Sequence, residues 1–340
     1  PEQLPQGSNG IALGRTRSKS GNPLLLINPH TSLFFRDVVQ MTSGEGLNAF
    51  GAVTWGQFFI YQGFNQRAGW MHTSSGLDNR DEFAVRLERM AGGRLGYRFG
   101  RDLRPLGIKP VTVGVRQADG SLAMRTINTF HTLHGPVVRS ENGRLIAFAI
   151  MDSPAKALEQ SFKRTKARTL GEFLAASALR ANSSNNTIFA DASGNIAYLH
   201  PQFVPLRDHR FDYRGVVDGG DPRTAWRGLH TVDSLPNIVN PASGFVFNVN
   251  DAPWPGAGKG TLDASRFPAY MDQWGWNPRT DHALALLETS RKLDLEGLRA
   301  AAYDTANPGF DRLLPGLFAA FDRLPRGDRR RAALDEPIAA

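Results

Sequence analysis

Two short apolar runs, Ile11-Ala12-Leu13 and Leu24-Leu25-Leu26-Ile27, flank the polar stretch Ser18-Lys19-Ser20-Gly21-Asn22. This pattern predicts adjacent strands joined by a tight turn. The second run ends at Asn28-Pro29-His30, where proline is expected to stop sheet pairing. Val111 to Val115 and Arg125 to Phe130 alternate like strands around Asp119-Gly120, and Leu145 to Ile150 follows His134-Gly135-Pro136-Val137-Val138 as another strand. Asn186 to Ala190 and Asn195 to Leu199 predict a hairpin around Asp191-Ala192-Ser193-Gly194, and Phe245 to Val249 a further strand. Thr169 and Glu172 have capping-box spacing, with Phe173, Leu174 and Ala178 at helical intervals, so a helix is expected to end near Asn182. Residues 279–290 and 294–303 read as amphipathic helices. Residues 31–68 are rich in Phe and hold Trp55, Phe58, Phe59 and Tyr61, a density that predicts core or the wall of an apolar pocket. Residues 1–7 are polar and aperiodic, a loop or linker. Hairpins and helices in mixed order, without regular βαβ units, predict an α+β fold.

Composition narrows the functional classes. The chain has 340 residues, 41% of them hydrophobic and 21% charged, a balance typical of a folded globular protein. Its net charge is +8, yet the arginines are scattered apart from a cluster between Arg323 and Arg331. Dispersed charge reads as a solvated surface, so no nucleic-acid partner is expected; a basic nucleic-acid-binding module is the rival that charge alone suggests. Cysteine is absent, which removes disulfides, thiolate metal sites and a cysteine nucleophile. No apolar run approaches the ~18 residues of a membrane span. Pro1 is not a natural start, so we expect that the chain begins at a cut and that any targeting signal lies upstream.

The chemistry centres on Gly7-Ser8. No G-x-S-x-G elbow and no phosphate-binding glycine motif follows a strand. A serine freed at an N-terminus offers another arrangement, because it carries a hydroxyl nucleophile and an amine of pKa about 7.7–8.0 on one residue. Without such a cut, Ser8 is an ordinary serine in a glycine-rich turn. Asp78-Asn79-Arg80-Asp81 places two carboxylates and a backbone carbonyl within one short loop, either a hard-oxygen site suited to Ca²⁺ or a plain acidic surface turn.

Taken together, Ser8-Asn9, Pro23-Leu24-Leu25, Asn28-Pro29-His30, Trp70-Met71-His72-Thr73, His134-Gly135-Pro136-Val137, Asn186 to Ala190 with Gly194-Asn195-Ile196, and Asn240-Pro241 with Gly244 to Pro253 resemble, in order, the penicillin amidase family of N-terminal nucleophile hydrolases. The resemblance runs from Ser8 to about residue 315. It implies a four-layer αββα core, incomplete in this chain. Residues 1–7 would be the end of a linker, and 8–340 the N-terminal part of a nucleophile-bearing subunit truncated at its C-terminus. The partner it implies is the preceding α-subunit segment of the same precursor, which supplies part of the acyl pocket.

The resemblance also assigns roles. Gly7–Ser8 would be the autoprocessing bond and Ser8 the nucleophile. The backbone N–H of Ser74 and the side-chain amide of Asn250 would stabilise the oxyanion, Arg279 would steady Asn250, and His30 would orient the serine. His30 matches the homoserine-lactone and cephalosporin acylase branches, where the penicillin G type has glutamine. His72 and His134 are given structural roles. Trp55 and Phe58 are taken as acyl-pocket walls. A structural Ca²⁺ would use Asp78, Arg80 and Asp81, with Pro205 and Asp263 added; no organic cofactor is implied. The implied activity is hydrolysis of a linear amide in a small acyl-amine substrate, an acyl-homoserine lactone or a β-lactam side chain, in the periplasm or outside the cell. The alternative is an unprocessed, non-catalytic binding or structural member of the same fold.

Overall fold

The computed structural model describes residues 7–31 and 36–339. Of the expected linker tail only Gly7 falls among them. The strands β1 (Gly7–Leu13) and β2 (Leu24–His30) form the first hairpin, β3 (Arg36–Thr42) and β4 (Asn48–Thr54) the second. Next come β5 (Gln62–Asn65), β6 (Ala68–Ser74), β7 (Asp81–Val85), β8 (Leu87–Arg89), β9 (Leu95–Phe99) and β10 (Asp102–Pro105). The long hairpin of β11 (Gly107–Arg116) and β12 (Leu122–Thr132) precedes β13 (Gly135–Glu141) and β14 (Arg144–Ala149). Helices α1 (Pro154–Lys166) and α2 (Leu170–Ser177) lead to β15 (Asn185–Asp191), β16 (Ile196–Leu199), β17 (Val216–Asp218), β18 (Ile238–Val239) and β19 (Phe245–Asn248). The helices α3 (Pro278–Thr289), α4 (Leu295–Ala302), α5 (Pro308–Asp322) and α6 (Arg329–Ala339) follow. None of the described helices is long and apolar enough to cross a membrane.

Four layers follow from which face each strand buries. A three-stranded sheet, β19-β1-β2, stacks on a seven-stranded sheet, β18-β16-β15-β6-β5-β4-β3. Strand side chains alternate between faces. Ile11 and Leu13 of β1 accordingly join Phe245, Phe247, Ala283, Leu287 and Leu298 in a core shared with α3 and α4. Ala12 points the other way, against Met71, Ile188 and Tyr198 of the larger sheet. On the far face of that sheet, Trp70 and Phe189 pack on Phe173 of α2. The result is the expected α+β fold in αββα order.

Gly10 lies in the contact between the sheets. A Cβ there would sit 2.9 Å from Ile188 Cγ1 and 3.0 Å from Met71 Cγ. Glycine thus lets β1 approach the lower sheet two residues from Ser8, on the face that Ser8 shares.

Several expectations need correction. Pro29 does not end pairing: it sits opposite Ser8 inside β2, which a sheet-edge strand tolerates. The α2 helix stops at Ser177, and Arg180 adopts a left-handed conformation (φ 52°) before Asn182. The aromatic segment is not uniformly core: Phe59 is buried, whereas Trp55 and Phe58 are exposed. In the arginine cluster, Arg330 pairs with Asp328 and Arg331 donates to the carbonyls of Phe321 and Leu324.

Candidate active site

Ser8 is buried at 5% exposure on β1, between β2 and β19. Its Oγ contacts the carbonyl oxygen of Gly7, the bond partner one residue upstream. Its backbone N–H donates to Asn250 Oδ1 at 2.6 Å. A Cβ on Gly7 would meet Asn250 Oδ1 at 3.1 Å, His30 Nδ1 at 3.3 Å and Arg279 Nη2 at 3.4 Å. The Gly7–Ser8 bond therefore lies among the three side chains that the motif reading singled out.

Asn250 follows the end of β19 in a left-handed conformation, φ 62°. Asparagine tolerates that region better than most residues, and the turn swings its side chain back over β1. Its Oδ1 accepts from Ser8 N and from Arg279 Nη2 at 2.9 Å. Two donors on one atom fix which end of the amide is oxygen. The Nδ2 group donates to Ser74 O at 3.0 Å, bringing the two expected oxyanion residues together. In this arrangement Asn250 engages the Ser74 carbonyl, not its N–H.

Arg279 stands in the first turn of α3. Asn277 caps that helix by accepting from Arg279 N, and Pro278 occupies the first helical position. The guanidinium spans Ser8 O at 3.1 Å, Asn9 Oδ1 at 2.8 Å and Asn250 Oδ1. Burial lowers its pKa, with Asp251 pulling the other way.

His30 pairs with Gly7 across β1 and β2. Burial, and then the charge of Arg279, hold its pKa below the ordinary value, so it is neutral near pH 7. Nε2 lies 3.0 Å from Asn28 Oδ1, an acceptor. Asn9 Nδ2, a donor, lies 3.5 Å from the same nitrogen, so Nε2 stands between an acceptor and a donor, while Nδ1 faces the side of Gly7. His72 is fully buried against Thr187 and the Asn186 carbonyl. His134 stacks on Phe83 and contacts Gly219 O at 2.8 Å.

Other expected residues lie elsewhere. Phe58 packs on Phe162 of α1, and Trp55 is 70% exposed. The loop between β4 and β5 turns them toward α1 and solvent.

The calcium residues do not fit a calcium ion as they stand. Asp78 and Asp81 converge, but on Arg207, whose side chain is fully buried and lies 3.1 Å and 2.9 Å from their carboxylates. Trp226 Nε1 also donates to Asp81, and Gln273 Nε2 to Asp78. The rings of Tyr213 and Tyr270 flank the guanidinium at 5.2 and 5.0 Å. Arg80 is exposed, Pro205 bridges to Leu229, and Asp263 caps a turn through Ser265. Among the described residues no group of three or more His, Asp or Glu is placed to hold a metal ion.

Residues not singled out complete the site. Asn248 Oδ1 accepts from Thr73 Oγ1 and from Asn186 Nδ2, whose own oxygen accepts from Tyr198. This buried chain satisfies the polar groups between the two sheets. Asp251 bonds Asn248, Val249 N and Thr280. Asn277-Pro278 before a helical run was a readable cap signal; the contact of Asp251 with Thr280 spans too great a sequence distance to read.

Comparison with known proteins gives the family and the fold. A family model described as penicillin amidase matches residues 1–336. The acyl-homoserine lactone acylase PvdQ of Pseudomonas syringae pv. syringae (strain B728a) is 27% identical over 350 residues, covering 92% of this chain and 44% of that protein. Penicillin G acylase of Escherichia coli is 26% identical over 344 residues, covering 97% and 38%. The chain thus spans less than half the length of these relatives. The solved structure of thermostable penicillin G acylase from Alcaligenes faecalis matches with a TM-score of 0.73 at 22% identity, over 98% of this chain and 59% of that one.

Proposed function

The chain belongs to the penicillin amidase family, and on that premise we propose that it carries the nucleophile of an acylase that cuts itself at Gly7–Ser8 and then hydrolyses linear amides. The observation that supports this most directly is the convergence of Asn250 Oδ1, Arg279 and His30 on the Gly7–Ser8 bond, with Ser8 Oγ against the Gly7 carbonyl.

In the processing step, Ser8 Oγ attacks the carbonyl carbon of Gly7 as its proton passes, through water, to a base. The C–N bond breaks, the nitrogen takes a proton, and Gly7 is left as an ester on Oγ. Water hydrolyses the ester, giving a Gly7 carboxylate and a free Ser8 amine. That amine inherits the hydrogen bond to Asn250 Oδ1, which turns its lone pair toward Oγ. In turnover the amine takes the Oγ proton, through water, as Oγ attacks the substrate carbonyl. The negative oxygen is met by the second N–H of the Asn250 amide and by Ser74 N–H. The amine product leaves with the proton, and water releases the acid.

The substrate class we favour is an acyl-homoserine lactone or related acyl amide, supported by the name of the relatives and by histidine at position 30. A β-lactam side chain is the second choice, supported by the penicillin G acylases. The rest of the acyl pocket would come from another segment of the precursor, and the activity would be periplasmic or extracellular.

Mass spectrometry of the full-length precursor tests the reading. We expect a product starting at Ser8, abolished in Ser8→Ala, followed by amine release that varies with acyl length. A wild-type chain that stays intact at Gly7–Ser8 under all folding conditions would sink it and leave a non-catalytic binding protein of the same fold.

A further inference from the structure

We propose that Asp251 is a positioning residue: its carboxylate ties the end of β19 to the first turn of α3, so that Asn250 and Arg279 are held in one geometry against Ser8. This rests on the acylase reading above and adds to it a residue that touches neither substrate nor nucleophile.

The argument is geometric. Asn250 reaches Ser8 only because the chain turns left-handed at that residue, and Arg279 reaches it from a different element. Nothing in either element alone fixes their relative position. Asp251 does. Its Oδ1 accepts from Val249 N and from Asn248 Nδ2, both at 3.0 Å, which closes the turn around Asn250. Its Oδ2 accepts from Thr280 Oγ1 at 2.9 Å, one residue after Arg279. Thr280 Oγ1 in turn accepts from Asn277 N, so its proton points at Asp251. Asn277 Nδ2 closes the ring by donating to the carbonyls of Val249 and Asn250 at 3.2 Å each.

A carboxylate satisfies every donor at this position. Three donors converge on two oxygens, and an amide supplies one oxygen and one donor group. Asp251 is 1% exposed, and none of its hydrogen-bond donors is charged. The groups that face it electrostatically are Arg279 from α3, the like charge of Asp272 before α3, and the hydroxyl of Tyr198 from β16. Burial pushes its pKa up to about 6, so the clamp is complete above that pH and loses one acceptor below it.

The test uses the full-length, processed enzyme with an acyl amide it turns over. Asp251→Asn and Thr280→Val are expected to lower kcat by ~10- to 100-fold with KM within about twofold, since the lost precision is felt at the reacting atoms. Thr280→Ser, which keeps the hydroxyl, is expected to restore kcat. In the wild type, log kcat against pH gains a second unit of slope below about pH 6; Asp251→Asn lacks it. A folded Thr280→Val with wild-type kcat, or an unchanged acid limb in Asp251→Asn, overturns the proposal. Should Asp251→Asn not fold, Thr280→Val decides. A wild type that releases no amine instead refutes the acylase reading. The clamp is then judged by the Asn250 side-chain amide resonance, which should move near pH 6 in wild type and stay fixed in Asp251→Asn; a resonance insensitive to pH overturns it.

Discussion

Arg279 donates to oxygens on Ser8, Asn9 and Asn250, and Asp251 braces the helix turn from which it does so. The brace has a thermodynamic cost that can be measured. Burial raises the Asp251 pKa from 3.8 to about 6. A folded pKa above the unfolded one means that the fold prefers the proton, so this contribution is full below about pH 3.8 and is lost as pH rises through about 6. A displacement of that size corresponds to about 3 kcal/mol. Asp251→Asn cannot ionise. Between about pH 4 and pH 7 its stability relative to wild type should therefore improve by up to ~3 kcal/mol, read from urea unfolding at both pH values. A stability difference that does not change with pH would show that the carboxylate is not held in its protonated form. The same residue thus favours stability when protonated and positioning when charged. Ser8, Asn250 and Arg279 were legible because local motifs carry them; Asp251 and Thr280 were not, because their meaning lies in a contact across 29 positions.

At the scale of elements, β6 ends on Ser74, the second oxyanion candidate, and the loop after it leads straight into Asp78 and Asp81. A buried guanidinium takes the place between these carboxylates that a metal ion would need. Removing one partner of such a pair strands the others in a dry site, at a cost of about 3–5 kcal/mol. Arg207→Ala should therefore lower the unfolding midpoint clearly in calorimetry, while a calcium chelator leaves the wild type unchanged. A wild-type midpoint that falls on chelation would instead put a metal in this loop. The acidic loop was visible in the sequence, but its counter-ion was not, since Arg207 lies 126 positions from Asp81. Helix α1 was illegible for another reason. Its buried positions are Gln160, Arg164 and Thr165, so the apolar stripe that announces a helix is absent. The β11–β12 hairpin was readable by its alternation, yet Val111, Val113 and Val115 are all exposed: period gives the element and not what covers it.

At the scale of the whole molecule, the site exists because two sheets meet closely under β1. Side-chain periodicity gave strands and helices in mixed order and the family resemblance implied their layering, but neither could give the distance between the sheets, which depends on residues far apart. Gly10 is where a side chain on β1 would collide with the larger sheet. A methyl group at position 10 would press on Ile188 and Met71, both fully buried and unable to move into solvent. Overpacking of this kind costs roughly 1–3 kcal/mol, against a gain of only about 0.5–1 kcal/mol from replacing glycine in a strand. Gly14, one residue past β1, is the control. Its Cβ would find Gly244 O at 3.4 Å and Ile196 Cδ1 at 3.5 Å, ordinary contact distances. Gly10→Ala should therefore shift the urea midpoint downward while Gly14→Ala leaves it nearly unchanged. Because Ser8 shares the face of Gly10 two residues away, Gly10→Ala should also slow release of the Ser8 N-terminus in time-resolved mass spectrometry. Equal midpoints for the two variants would mean that the sheets part without cost and that the spacing beneath the nucleophile is not set by Gly10.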